Sequence, residues 1–192
     1  MEITDRELLE RYAKGDVDAL GRLVERHRRG LYGFVVNMTR NTAEADDVFQ
    51  DVWVKVIRRM ETYTEQNFGG WLLKIARNVV IDRSRKRKPD ISLDAETEEG
   101  GSMMQTLKAK DPDPTQGLDA GHLGKRIALA VEKLPDEQKE VFVMRVQSDL
   151  SFKEIAEIQG VSINTALARM QYALAKLRAI LGNEYKALIS QS

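Results

Sequence analysis

The chain has 192 residues, with 30 Lys+Arg against 30 Asp+Glu, no cysteine and two histidines. That length allows one or two domains, the missing thiols exclude a disulfide framework or a thiolate metal site, and His27 and His122 lie too far apart to suggest zinc. A net charge of zero, taken whole, argues against a nucleic-acid partner.

In chain order, Thr4 and Glu7 form a capping-box pattern ahead of Leu8, Leu9 and Tyr12. Leu20, Leu23, Val24, Leu31, Phe34, Val35 and Met38 then recur at three- and four-residue steps, which predicts an amphipathic helix. Asn41 with Glu44 can cap the next helix, where Val48, Val52 and Val56 stack at four-residue spacing. A further helix is expected from about Gly70 to Arg87, with Trp71, Leu72, Ile75 and Val79 apolar. Residues 89–118 hold three of the four prolines and no sustained helical period, the composition of a tether. Beyond it, VFVMRV (141–146) could pass for a strand, but Pro135 in a first turn and Asp136, Glu137 and Glu140 favour a helix N-terminus. Ser151 and Glu154 form another capping box, Gln159-Gly160-Val161 breaks that helix, and Ser162 caps a longer one, INTALARMQYALAKLRAIL.

The expected fold class is therefore all-α: two small helical domains, 1–88 and 119–192, joined by a flexible acidic linker over 89–118. Domains of this size bury only roughly 60% of their unfolded surface, so each is modestly stable. Divided this way the charge is uneven. Residues 1–88 carry 18 basic and 14 acidic side chains, 89–118 carry 2 and 7, and 119–192 carry 10 and 9. No apolar run approaches the ~20 residues that span a bilayer. The polar start MEITDRELLERYAKGD lacks a signal peptide's apolar core, so a soluble cytoplasmic protein without membrane insertion is expected.

Three features carry functional information. The short helix, Gly turn and longer helix at 151–181 follow the helix-turn-helix plan, against the plainer reading of a helical hairpin in a bundle. Arg77, Arg83, Arg85, Lys86, Arg87 and Lys88 fall within twelve residues against the single acid Asp82. Such a helix end can follow a phosphate backbone, or simply be solvated and favour its own dipole. Tyr63 and Phe68, in the polar loop ETYTEQNFGG, could stack on unpaired bases, whereas Trp71 fits a core position. Finally, Asp47, Gln50, Asp51 and Val54 share one helix face, with Lys55 and Arg58 nearby, a stripe that is ordinarily just wet surface.

These blocks, DDVFQDVWVKV (46–56), FGGWLLKIARNVVIDRSRKRKPD (68–90) and LPDEQKEVFVMRVQSDLSFKEIAEIQGVSINTALARMQYALAKLR (134–178), resemble a bacterial RNA polymerase sigma factor of the sigma-70 family, extracytoplasmic-function (ECF) group. The resemblance covers nearly the whole chain in order and spacing. It implies that residues 1–88 are sigma domain two, docking on the clamp helices of the polymerase β′ subunit through Asp47, Gln50, Asp51, Val54 and Lys55. It implies minus-ten recognition by Tyr63, Phe68, Arg77, Asn78, Asp82, Arg83, Arg85 and Lys86. Asn78 would be the base-reader, Asp82 a network residue and the cations phosphate contacts. Residues 119–192 would be sigma domain four, reading the minus-thirty-five element with Ser162, Asn164, Thr165 and Arg169 and meeting the polymerase β flap. The resemblance further implies a linker threading the polymerase interior and an anti-sigma factor as partner. Where family recognition helices often read GTVKSRLHRAR, this chain reads NTALARMQYAL and keeps Arg169 alone.

The competing reading is a stand-alone helix-turn-helix regulator that recruits no polymerase. It has no need of the DxxQD stripe beside a basic melting helix. An enzyme finds no support: no catalytic constellation, cofactor motif or metal set is legible, so no cofactor is expected.

Overall fold

The computed structural model describes residues 3–39, 41–64, 67–87 and 118–189, and these form eight α-helices with no strand among them. Four precede the tether region: α1 (Asp5–Ala13), α2 (Val17–Met38), α3 (Thr42–Arg59) and α4 (Phe68–Arg87), with a single 3₁₀ turn at Met60–Thr62. Four follow it: α5 (Leu118–Glu132), α6 (Asp136–Gln147), α7 (Phe152–Gln159) and α8 (Ile163–Ile189). The tether expected over 89–118 lies, but for Leu118, outside the described residues.

The predicted caps form. Thr4 Oγ1 accepts from Glu7 N–H while the Glu7 carboxylate accepts from Thr4 N–H at 2.7 Å, and Asn41 Oδ1 accepts from Glu44 N–H at 2.8 Å. Helix α4 starts two residues earlier than its apolar pattern indicates. Asn67 Oδ1 takes the Gly70 N–H at 3.1 Å, so an amide side chain supplies the cap that Gly69-Gly70 lack. Pro135 sits one position outside α6, at its N-cap, and VFVMRV is helical as expected.

The apolar stripes of the first four helices meet in one core, where Leu8, Leu23, Leu31, Phe34, Val35, Val48, Val52, Val56 and Leu72 are essentially closed to solvent. Asp5 fastens α1 to α2, its carboxylate meeting Arg26 Nη1 at 2.6 Å and His27 Nε2 at 2.7 Å. In the second unit Val141, Met144, Ile155, Ala166, Ala173 and Leu177 close the core. No described helix is long and apolar enough to cross a membrane.

The two units pack against each other, α2 on α6 and α4 on α7. Two glycines on one face of α2 permit the close approach. A methyl group at Gly30 would meet Ser148 Oγ at 3.3 Å, and one at Gly33 would overlap the Gln147 amide. Gly30→Leu is therefore expected to wedge the units apart at a cost of about 1–3 kcal/mol. Neither core is touched, and the substitution improves the helix propensity of α2. Small-angle scattering should record a larger radius of gyration with unchanged helical circular dichroism. An unaltered scattering profile would show that the contact does not hold the units together.

Candidate functional site

Helix α3 turns Ala45, Val48, Val52 and Val56 into the core, and the four-residue step of those positions fixes what faces out. Asp47, Gln50, Asp51 and Val54 all emerge exposed on one side, the stripe expected from spacing. Lys55 is half-buried at its edge, with Nζ 4.0 Å from Asp82 Oδ2.

Helix α4 lies alongside and reaches the stripe. Arg83 donates from Nη2 and Nε to Asp51 Oδ2, at 2.5 and 3.1 Å, and its Nη1 stands 3.8 Å from Asp47 Oδ2. An arginine expected at DNA is thus bonded to a carboxylate expected at the clamp. Asp51 is 51% exposed, so water competes for the pair and its net worth is about 0–1 kcal/mol. It can be exchanged for other partners at little cost.

Beside this pair a cavity of about 340 Å³ opens, lined among others by Lys55, Arg59, Arg77, Asn78, Asp82 and Arg85. Four cations, one amide and one carboxylate make a site suited to a phosphodiester chain with one base edge turned inward. Asn78, Arg85 and the neighbouring Lys86 are exposed.

The aromatic residues divide differently from the sequence expectation. Phe68 is 2% exposed and sits among the rings of His27, Trp53, Tyr63 and Trp71, with centroids 5.2–6.5 Å away. Stacking on a base requires an open ring face, and Phe68 offers none in this arrangement. Tyr63 is half-buried against Trp71 at 4.9 Å.

In the second unit, α7, the turn and α8 form a helix-turn-helix. Ser151 and Glu154 cap α7 reciprocally, Gly160 adopts φ +69° at its end, and Ser162 Oγ accepts from Thr165 N–H at 3.1 Å to start α8. Ser162 and Asn164 are exposed at the N-terminus of α8, while the Thr165 hydroxyl is 2.9 Å from Ser162 Oγ. Arg169 is held within the unit. Its Nη1 donates to Gln159 Oε1 at 2.9 Å and its Nη2 lies 3.2 Å from Glu137 Oε2, leaving the side chain 20% exposed. Burial opposes ionisation of Glu154, yet hydrogen bonds from Asn67 and Ser151 hold its carboxyl below the usual range.

Two residues that sequence reasoning passed over join the units. Glu140, read as a helix-N-terminal acid, is 7% exposed; its Oε2 accepts from Arg77 Nε at 2.9 Å and from Gln159 Nε2 at 2.8 Å. Gln159, read only as part of the turn, is 8% exposed and bonds to both Glu140 and Arg169. The available signal was a carboxylate on the same face as Val141 and Met144, since a charge on an apolar face needs a buried partner.

These features define a two-unit helical protein pairing an acidic stripe and cationic cleft with a helix-turn-helix. The description "Sigma-70 region 2" matches residues 23–89, and "Sigma-70, region 4" matches residues 124–177. The ECF RNA polymerase sigma factor SigW of Bacillus subtilis (strain 168) is 31% identical over 181 residues, spanning 93% of this chain and 97% of its own. Among solved structures, CnrH in complex with the cytosolic domain of CnrY superposes with a TM-score of 0.66 at 26% identity, covering 93% of this chain and 97% of that one. The sigma factor RpoE of Bartonella quintana, in complex with the anti-sigma factor NepR, shares the fold with a TM-score of 0.65 at 22% identity, over 86% and 98% of the two chains. The chain belongs to the sigma-70 family, in its ECF group: it is a promoter-specificity subunit of bacterial RNA polymerase. That membership sets aside the stand-alone regulator considered from sequence.

Proposed function

We propose that this sigma factor divides its work along the limits 1–88, 89–118 and 119–192. The first domain docks on the β′ clamp helices through Asp47, Gln50, Asp51, Val54 and Lys55. The cleft around Asn78 receives the separated minus-ten strand, with Arg77, Arg83, Arg85 and Lys86 on its phosphates and Asp82 ordering Lys55. Tyr63 lies at the edge of the melting surface, and Phe68 supports it from the core. The last domain reads the minus-thirty-five duplex with Ser162, Asn164 and Thr165 at the groove; Arg169 reaches DNA only if it leaves Gln159 and Glu137. The protein acts in the cytoplasm, has no active site of its own, and is held inactive by an anti-sigma factor of the kind named with the Bartonella quintana structure.

The observation that carries this reading is the cationic cleft lying directly beside the carboxylate stripe, so that one small domain offers separate surfaces to protein and to DNA. In vitro transcription with core polymerase on a promoter library tests it as a whole: enrichment of one promoter class is expected, and transcription indifferent to added protein would refute it. The cleft has its own test. Replacing Arg83 and Arg85 together by Ala should lower the salt slope of promoter-complex formation by roughly 1.4–1.8, since each lost phosphate contact is worth about 0.7–0.9. Permanganate reactivity of thymines in the melted region should fall in parallel. Wild-type slope and reactivity in that variant would move the DNA path away from α4.

A further inference from the structure

We propose that Glu140 is an interdomain latch that keeps the DNA-facing helix of the first domain closed against the second, and that opening exchanges its carboxylate for a DNA phosphate on Arg77. This deepens the assignment of α4 to DNA and rests on it.

The geometry is specific. Arg77 lines the cationic cleft, yet its Nε is bonded to Glu140 across the interface at 2.9 Å, with the two side chains only 20% and 10% exposed. This is unlike the Arg83–Asp51 pair, which water reaches easily. A cation and an anion withdrawn together from water hold each other strongly, because removing one strands the other in a low-dielectric site. While the pair stands, one cation of the cleft is neutralised and α4 is fastened to α6.

The same carboxylate oxygen serves the second domain. It accepts from Gln159 Nε2, and Gln159 Oε1 in turn holds Arg169 of α8. A continuous hydrogen-bonded chain, Arg77–Glu140–Gln159–Arg169, therefore links the two helices assigned to DNA. Release of Arg77 breaks only its first bond. Glu140 keeps Gln159, so the helix-turn-helix survives opening.

Two other polar contacts at the interface lose little when it opens. Ser148 Oγ is buried against Gly30 without a hydrogen-bond partner, and separation would return it to water. Asn67 bonds Glu154, but both have alternative bonds within their own domains: Asn67 caps α4 and Glu154 caps α7. Glu140 keeps only the neutral Gln159 amide when the units part, and that bond does not replace the charge of Arg77. The latch thus concentrates the electrostatic cost of opening in one pair, and an anion offered to Arg77 lowers that cost.

The experiment uses the full chain. Because it contains no cysteine, single cysteines at the exposed Thr62 and Lys133 accept a donor–acceptor dye pair, one in each domain. Glu140→Gln keeps the shape and the Gln159 bond while removing the charge. It is expected to raise the ratio of open to closed molecules at least roughly tenfold, as loss of one member of a buried pair does. Arg77→Glu should open the chain similarly, and the exchanged pair Arg77→Glu with Glu140→Arg should restore high transfer, an outcome that a general loss of folding cannot produce. Binding of a mixed-sequence single-stranded DNA by free Glu140→Gln protein should tighten by a comparable factor. Unchanged energy transfer in Glu140→Gln, or failure of the exchanged pair to reclose, overturns the latch. Opening without any gain in DNA binding supports the latch and instead overturns the assignment of α4 to DNA.

Discussion

Asp51→Arg is expected to weaken binding to core polymerase by roughly 30-fold or more, the loss that follows when one partner of a desolvated interfacial charge pair is removed, about 2–5 kcal/mol. The effect is large because reversal both deletes an acceptor for clamp arginines and adds a like charge facing them. It should be nearly silent in the free protein. Asp51 is half exposed on the outer face of α3, where Arg is a better helix former than Asp, so the melting temperature should hold. In the free protein the new arginine would face Arg83, and both partly exposed side chains can turn into water, so α4 keeps its place. Fluorescence titration of labelled sigma factor with core enzyme, alongside a thermal melt, separates these effects. Wild-type affinity would remove the stripe from the polymerase contact. The same geometry links the two surfaces: a clamp arginine that takes Asp51 frees Arg83, so docking on polymerase would add charge to the DNA cleft.

Phe34→Ala is expected to remove about 3–5 kcal/mol from the first domain. Phe34 is fully closed to solvent on α2, in the core shared with α3 and α4. A domain of this size has only about 5–10 kcal/mol in total, so the variant should be near the edge of folding. Both tryptophans, Trp53 and Trp71, lie in α3 and α4, so intrinsic fluorescence follows this domain selectively. With a urea dependence of about 1–3 kcal/mol per molar, the midpoint should fall by roughly 1 M or more. A shift well below that would mean that the core closes around the missing ring.

The balanced net charge acquires a structural meaning. Arginines assigned to DNA are paired with acids of the same chain: Arg77 with Glu140, Arg83 with Asp51, Arg169 with Glu137. A free chain in this state presents less cationic surface than its sequence contains. On the proposed assignment, each of these pairs would be traded for a phosphate before it contributes to DNA affinity.

What the sequence determined by itself is local. The capping pairs Thr4–Glu7, Asn41–Glu44 and Ser151–Glu154, the left-handed Gly160 and the helical steps of the valines in α3 are each settled within a few residues. Short-range hydrogen bonds and a 3.6-residue period leave them little choice. The exposed stripe followed from the same period, because fixing the buried valines fixes what lies opposite. Tertiary structure decided everything that depends on residues far apart in the chain. Phe68 looked like a loop aromatic until His27, Trp53 and Trp71 closed over it. The partners of Arg169, Gln159 and Glu137, come from α7 and α6, and Glu140 looked like a favourable helix end until Arg77 arrived from the other domain. The direction of a long polar side chain is set by which opposite charge the fold brings within reach, and no local period carries that information.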